Sequence, residues 1–440
     1  MSCEECKELE ALKKALPRRA FLKKGGIALA ALGTLGPLAV IAARSGGMAR
    51  LLDAPTAAAA TISAAAPGAA DRVLVIVQLA GGNDGLNTVV PYQQGAYYDM
   101  RPTIAIAQKD VLPLAGAGAG LNPALAGLHQ LYQQNQVAIV QGVGYSNPNL
   151  SHFRSMQIWE TAQPTSNSYT GWLGRYLDGV QAKSPLEAVA IGSSVPLAMQ
   201  GSTVAPPAIE ALSAFDLRTD PRFPDDRTSL LNALAAMYGG APADPATFAL
   251  VRGATVDAYA SAAAVQKAAT GYKPSSPYPA TQLGKQLELV AQLVAGGLPT
   301  RIYYTVLGGF DDHANEHTGY AHLLQQLGDA VAAFFTDLKG HGLDQRVTLM
   351  TWSEFGRRAK ENASGGTDHG TAAPLFVVGP SVKGGLYGEA PSVTNLDSDG
   401  NLKFDVDFRQ VYATLLQEWL AADPAGVLGG TFSTLPLLQI

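Results

Sequence analysis

The sequence predicts an α/β fold, a mostly parallel central sheet with helices on both faces. Three observations carry that expectation. Runs of nearly unbroken apolar residues at 73–79, 137–140, 301–307, 346–352 and 374–378 mark strands buried on both faces. Segments of helical periodicity separate them, and such alternation implies parallel strands joined by crossovers. The chain has 440 residues, 47% hydrophobic and 15% charged, enough for a large core under a weakly charged surface.

Residues 1–45 read as a twin-arginine signal and stand apart from the fold. Arg18-Arg19-Ala20-Phe21-Leu22-Lys23 is the twin-arginine pattern, and an uncharged Gly/Ala-rich stretch follows at 25–43. An ordinary membrane anchor is the competing reading, but the stretch is weakly hydrophobic for a span. The expectation is export by the twin-arginine translocase to the periplasm or beyond, with no permanent transmembrane anchor. Residues 1–45 hold eight Lys or Arg, four Asp or Glu, and both cysteines, Cys3 and Cys6. Without them the chain carries 23 basic and 32 acidic side chains, near −9, with no thiolate to ligate a metal. Cys3-x-x-Cys6 is half a zinc motif without its other half. No basic stripe argues for nucleic acid.

Residues 46–71 form an Ala-rich linker, and one domain covers 72–440. Its first strand, 73–79, ends in the turn Gly81-Gly82-Asn83-Asp84-Gly85. A helix is expected over 121–135, with Pro123 near its start, then a strand at 137–140. Ser151 is the expected N-cap of a helix running to about 161. Short strands are expected at 186–192 and 195–200. Residues 211–280 read as a mostly helical insertion ending in a Pro/Ser/Tyr loop at 271–279. Helices follow at 282–295, 322–339 and 407–420, interleaved with the later strands.

Candidate functional residues fall at, or just past, the C-terminal strand ends, where open α/β sheets bind ligands. Asp84 is a ligand or a turn residue capping its own backbone. Asp311 and His313 face one ion if their loop is extended or turned; otherwise they belong to a polar loop, as Asp312, Glu316 and His317 are expected to. Ser353-Glu354-Phe355-Gly356 follows a strand and reads alternatively as a helix start with Arg357 on the surface. Asp368-His369 sits among glycines, as a site pair or in a flexible loop. Ser151 is the best nucleophile, since a helix N-terminus favours an alkoxide and an anionic ester. It reads equally as a plain cap, with His152 on the surface or behind a ligand. Any metal must be held by oxygen or imidazole, which suits divalent zinc, manganese, magnesium or calcium. Two weaker signals, Asp397-Ser398-Asp399-Gly400-Asn401 and the Gly-rich 116–120, read as a turn and a loop.

The twin-arginine start, Gly81 to Pro91, Ser151-His152-Phe153, Gly308 to His313, Ser353 to Arg357 and Gly365 to Gly370 together resemble the bacterial family named domain of unknown function 1501. The likeness runs from about residue 72 to the C-terminus. That family is similar to the alkaline phosphatase superfamily, with its sulfatases and phosphomutases. The resemblance implies an alkaline-phosphatase-like fold and a metal-assisted Ser, Thr or formylglycine nucleophile acting on phosphate or sulfate esters. It places Asp84 as a metal ligand after the first strand and Ser151 near the nucleophile. It makes Asp311 and His313 a ligand pair and sets His369 where phosphopentomutases have the His of a Thr-Asp-His motif. Glu354 stands in place of an Asp, and Phe355 in place of a metal-binding His. The expected metal set is therefore Asp84, Asp311, His313, Glu354, Asp368 and His369. Ser151 is the expected nucleophile, with Arg357 gripping the anion bidentately. The expected partner is an anionic ester, small molecule or polysaccharide. The rivals are a non-catalytic envelope or polysaccharide-binding protein and a purely structural one.

Overall fold

The computed structural model describes residues 68–212, 229 and 261–440. The signal segment and most of the linker and helical insertion lie outside the described residues. Of the insertion, 261–269 are helical and 271–279 form the expected loop.

Strand β1 (Val73–Ala80) explains why its sequence does not alternate. Val73, Val75, Val77 and Leu79 enter one core, while Leu74 and Ile76 enter another on the opposite face. The main sheet continues with β2 (Val137–Gly144), β3 (Ala188–Ala190), β4 (Ile302–Gly308), β5 (Val347–Trp352), β6 (Ala373–Val378), β7 (Gly385–Tyr387) and β8 (Val406–Asp407). Their spatial order is β7-β2-β6-β5-β1-β4-β3, with β8 also on β2. The central strand β1 is parallel to both β4 and β5. Among the described main-sheet strands only β6 runs antiparallel, to β2 and β5.

Helices α1 (Ala126–Gln133), α2 (His152–Thr161), α3 (Trp172–Gly179), α4 (Gln282–Ala295), α5 (Glu316–Gly340) and α6 (Phe408–Thr414) cover the sheet. Apolar residues of α1, α4 and α5 join one core and those of α2, α3 and α6 the other, so helices lie on both faces as expected. The C-terminal ends of β1, β2, β4 and β5 share one sheet edge with the N-terminal end of β6. Their loops meet there.

Three expectations change. The strand at 195–200 is a 3-10 turn, Leu197–Met199, entered from Pro196, whose missing N–H suits it poorly to a ladder. The helix at 121–135 is divided: Gly120–Leu121 pair in a small antiparallel sheet, Asn122 caps a 3-10 turn at Pro123–Leu125, and α1 follows. Helix α5 begins at Glu316, not 322. Its N-cap, Asn315, is left-handed and makes no side-chain cap, so no local signal marks the start. Instead the Asn315 and Glu316 amides donate to the carbonyls of Ser364 and Gly365, 3.1 and 3.0 Å away.

A histidine-rich candidate metal centre at the strand ends

The turn after β1 lets two other loops come in. Gly81 and Gly82 have φ of 127° and 91°, which L side chains rarely adopt. A Cβ on Gly81 would lie 2.4 Å from the Asp311 amide, and one on Gly82 would lie 2.4 Å from the Phe355 ring. The loop after β5 then pairs with the loop before β6: Gly356 N–H donates to Thr371 O, Gly370 N–H to Gly356 O, and Arg358 N–H to Asp368 O. The glycine-rich 365–370 segment is thereby held against its neighbour, not left as a free loop.

Four side chains converge at this edge. His369 Nε2 lies 3.1 Å from Asp311 Oδ1 and 3.0 Å from His313 Nε2. His313 Nε2 is 3.1 Å from the same Asp311 oxygen, and His152 Nε2 is 3.4 Å from Asp311 Oδ2. Ligand atoms of His152, Asp311 and His369 all lie within 4.8 Å of one another and could hold a metal ion. A tetrahedron with zinc–nitrogen bonds of about 2.0–2.1 Å has edges of about 3.3 Å, so the separations fit a coordination shell.

The nitrogens facing away are tied down. His369 Nδ1 is 2.9 Å from the Leu150 carbonyl, which can only accept, so the proton sits there and Nε2 offers a lone pair. His152 Nδ1 is 2.9 Å from Glu354 Oε1. His313 Nδ1 faces Asp368 Oδ1 at 3.6 Å. Such outer partners orient ligating imidazoles. Bare nitrogens 3.0 Å apart on His313 and His369 repel unless a proton or a cation lies between them. Burial alone would raise the Asp311 carboxyl. The Arg357 guanidinium, hydrogen-bonded to Oδ1 and charged, outweighs it, and the carboxyl lies at about 2.

Several expected residues sit elsewhere. Glu354 is 1% exposed and accepts from Gly81 N–H at 2.8 Å as well as from His152, so it stands behind the ring and not inside the cluster. Arg357 is 1% exposed and not free to grip an anion. Its guanidinium donates to the carbonyls of Gly81, Gly82, Phe310 and Thr367 and to Asp311 Oδ1. Phe355 is buried, its ring centroid 4.9 Å from that of His152 and 4.4 Å from that of His369, an apolar wall of the centre. Ser151 is the exposed N-cap of α2, and its hydroxyl makes no capping bond. His152 is the residue that sequence reasoning undervalued; its signal was adjacency to Ser151 at a helix start.

Asp84 belongs to a second, buried cluster. Both its oxygens meet the Arg101 guanidinium, one of them at 2.9 Å, and it caps Leu86 N–H. Arg101 also donates to the carbonyls of Arg358 and Ala359. Glu316, expected on the surface, is fully buried and accepts from Asn87 Nδ2 at 2.9 Å and Thr367 Oγ1 at 3.0 Å. Its helix starts inside the molecule because the 364–365 carbonyls hold its first amides. Burial would raise Asp84 too, but Arg101 outweighs it and holds the carboxyl below its ordinary value. Burial and the Asp84 charge push Glu316 up to about 9.

Fold and cluster together define an α/β protein with a candidate metal centre at its strand ends. The chain belongs to the family described as protein of unknown function DUF1501, whose model matches residues 137–425. Among curated proteins none matches it. Similar solved structures include a protein in the alkaline phosphatase superfamily from Vibrio parahaemolyticus, 10% identical, covering 73% of this chain and 63% of that one at a TM-score of 0.33. The lipoteichoic acid synthase LtaP from Listeria monocytogenes is 9% identical over 82% of this chain and 75% of that one, at 0.37. A sulfatase from Pseudoalteromonas sp. is 11% identical over 72% and 64%, at 0.33. This chain thus spans less than two thirds of the first and third of these chains. Among the described residues no helix is long and apolar enough to cross a membrane.

Proposed function

We propose that this protein is a metal-dependent hydrolase of phosphate or sulfate esters, exported by the twin-arginine route to act outside the cytoplasmic membrane. The observation that carries the reading is the convergence of three imidazole Nε2 atoms on the Asp311 carboxylate in a solvent-open cluster. His152, Asp311 and His369 would hold one divalent ion, with His313 closing the set. Of zinc, manganese, magnesium and calcium, an imidazole-rich set favours zinc, since calcium and magnesium prefer all-oxygen shells. Such an ion supplies charge for the ester oxygen and lowers the pKa of a bound hydroxyl or water.

The protein's own groups divide the remaining work. Glu354 and the Leu150 carbonyl fix two rings so that each presents its lone pair inward. Arg357 keeps Asp311 ionised far into acid and braces the three loops through their carbonyls. Ser151 offers a hydroxyl free of capping at the N-terminus of α2, one residue from His152. The first amides of that helix are donors for an anionic ester.

A second reading is a non-catalytic binder that keeps the ion. Phe355 and the saturated Arg357 favour it, because neither offers charge to an ester. The test is metal analysis of the exported protein, with hydrolysis of 4-nitrophenyl phosphate and sulfate followed in wild type, Ser151→Ala and His369→Ala. About one equivalent of metal, lost with His369, together with hydrolysis supports the enzyme. Hydrolysis lost in Ser151→Ala with metal retained makes Ser151 the nucleophile; unchanged hydrolysis removes that role. Metal without hydrolysis of any ester supports the binder.

A further inference from the structure

Helix α2 is registered on a single residue of the loop after β5. His152 and Ser155, three apart and so on one helix face, both meet Glu354. His152 Nδ1 lies 2.9 Å from the carboxylate, and the Ser155 hydroxyl donates to the backbone carbonyl. That carbonyl can only accept, so Ser155 Oγ has no proton left for Tyr145. The Tyr145 phenol, 3.2 Å away, therefore donates to Ser155 and accepts the Asn149 N–H at 3.0 Å. Tyr145 and Ser155 are buried, and this relay anchors the backbone of Asn149, an exposed residue of the loop entering α2.

Asn149 passes the anchorage to the histidine cluster through one peptide unit. Its Oδ1 accepts the Ser151 N–H at 2.9 Å. The Leu150 carbonyl of that same unit accepts from His369 Nδ1 at 2.9 Å. A peptide unit is planar, so its N–H and C=O turn together. Held by Asn149, the plane cannot swing the carbonyl away from the imidazole. With that partner His369 keeps its proton on Nδ1 and its lone pair on Nε2, toward Asp311 and His313. Released, the ring exchanges between tautomers, and its Nε2–H form has no lone pair there for an ion.

We propose that Asn149, anchored by Tyr145, is a positioning residue of the metal centre, setting the tautomer in which His369 receives the ion. The ion belongs to the hydrolase reading; the tautomer does not. The first readout therefore uses the chelated protein with isotope-labelled histidine, at about pH 8.5, where an ordinary imidazole is neutral. Long-range proton–nitrogen NMR spectra distinguish Nδ1–H from Nε2–H, and His369→Ala assigns the signal. His369 should be Nδ1–H in the wild type and lose that preference in Asn149→Ala. Asn149→Asp keeps the acceptor oxygen and should keep the Nδ1–H form. Tyr145→Phe should shift the tautomer in the same direction as the alanine, by less. Asn149 is exposed, so its variants should melt with the wild type. The second readout is zinc competition with a chromogenic chelator, in which Asn149→Ala should bind about tenfold more weakly. Retention of the Nδ1–H form in Asn149→Ala, or its equal loss in Asn149→Asp, overturns the proposal. An unchanged tautomer in Tyr145→Phe overturns the share of Tyr145. Unchanged zinc affinity beside a shifted tautomer overturns the bearing on the metal. If the wild type binds no zinc, the hydrolase reading fails, while the tautomer still decides whether Asn149 positions His369.

Discussion

Two ionisable clusters share the Gly81–Asp84 turn and are built in opposite ways. In the histidine cluster the side chains of His152, Asp311, His313 and His369 are 29%, 47%, 46% and 21% exposed, and their inward nitrogens face one another without a fixed proton. In the other, Arg101, Asp84 and Glu316 are out of water, and Arg101 and Asp84 answer each other with two hydrogen bonds. A buried charge must be matched by protein groups, and once matched it has no capacity left for a ligand. An open cluster can leave ligand atoms unmatched, because water covers them until an ion arrives. Asp84 and Asp311 are both aspartates just past parallel strands. Whether an arginine closes over both oxygens, or touches only one, separates strut from site.

The largest effect expected is on the strut. Arg101→Met leaves Asp84 buried without its partner and should lower unfolding free energy by about 3–5 kcal/mol in denaturant titrations. A loss under about 1 kcal/mol would mean that water reaches Asp84, and the contrast would collapse. Next, Asp311→Asn or His369→Ala should weaken metal binding more than about a hundredfold, beyond what loss of an outer partner does. The chelated protein should keep its stability within about 1 kcal/mol, as expected of an open site. Competition with a chromogenic chelator measures the first and thermal unfolding the second.

Glu354→Gln tests the support behind His152. It should cost about 10–100-fold in metal affinity, less than removing a ligand. An equal loss would place Glu354 among the ligands after all.

The smallest effect is Glu316→Gln, read across pH. Its folded pKa of about 9 lies above the ordinary 4.5, so the folded chain keeps a proton that the unfolded chain releases. The stability this gives is full below about pH 4.5 and is lost as pH rises toward 9. Glutamine mimics the protonated form. Stability below about pH 4.5 should therefore stay within about 1 kcal/mol of the wild type, and the decline from there toward pH 9 should flatten, leaving the variant the more stable form at higher pH. The wild-type slope persisting in the variant would assign it to another group.

Legibility in the sequence followed the range of each cause. Continuous apolar runs named the strands of β1, β4, β5 and β6 within a residue or two, because burial on both faces leaves no alternation. Asp311, His313 and His369 were visible as acids and histidines at strand ends. The start of α5 was not, because carbonyls from 364–365 hold it and no local cap does. Glu316 goes with it: without a visible helix start, an acid in that position reads as surface.

The sequence by itself determined the layered α/β architecture and the sheet edge where chemistry gathers, since both follow from periodicity and chain order. Tertiary structure alone decided which acid meets a cation and which meets imidazoles. It drew Arg101 over Asp84, set Glu354 behind His152 and buried Arg357 among carbonyls. Those outcomes depend on contacts between residues 10 to 276 positions apart, and no local pattern encodes them.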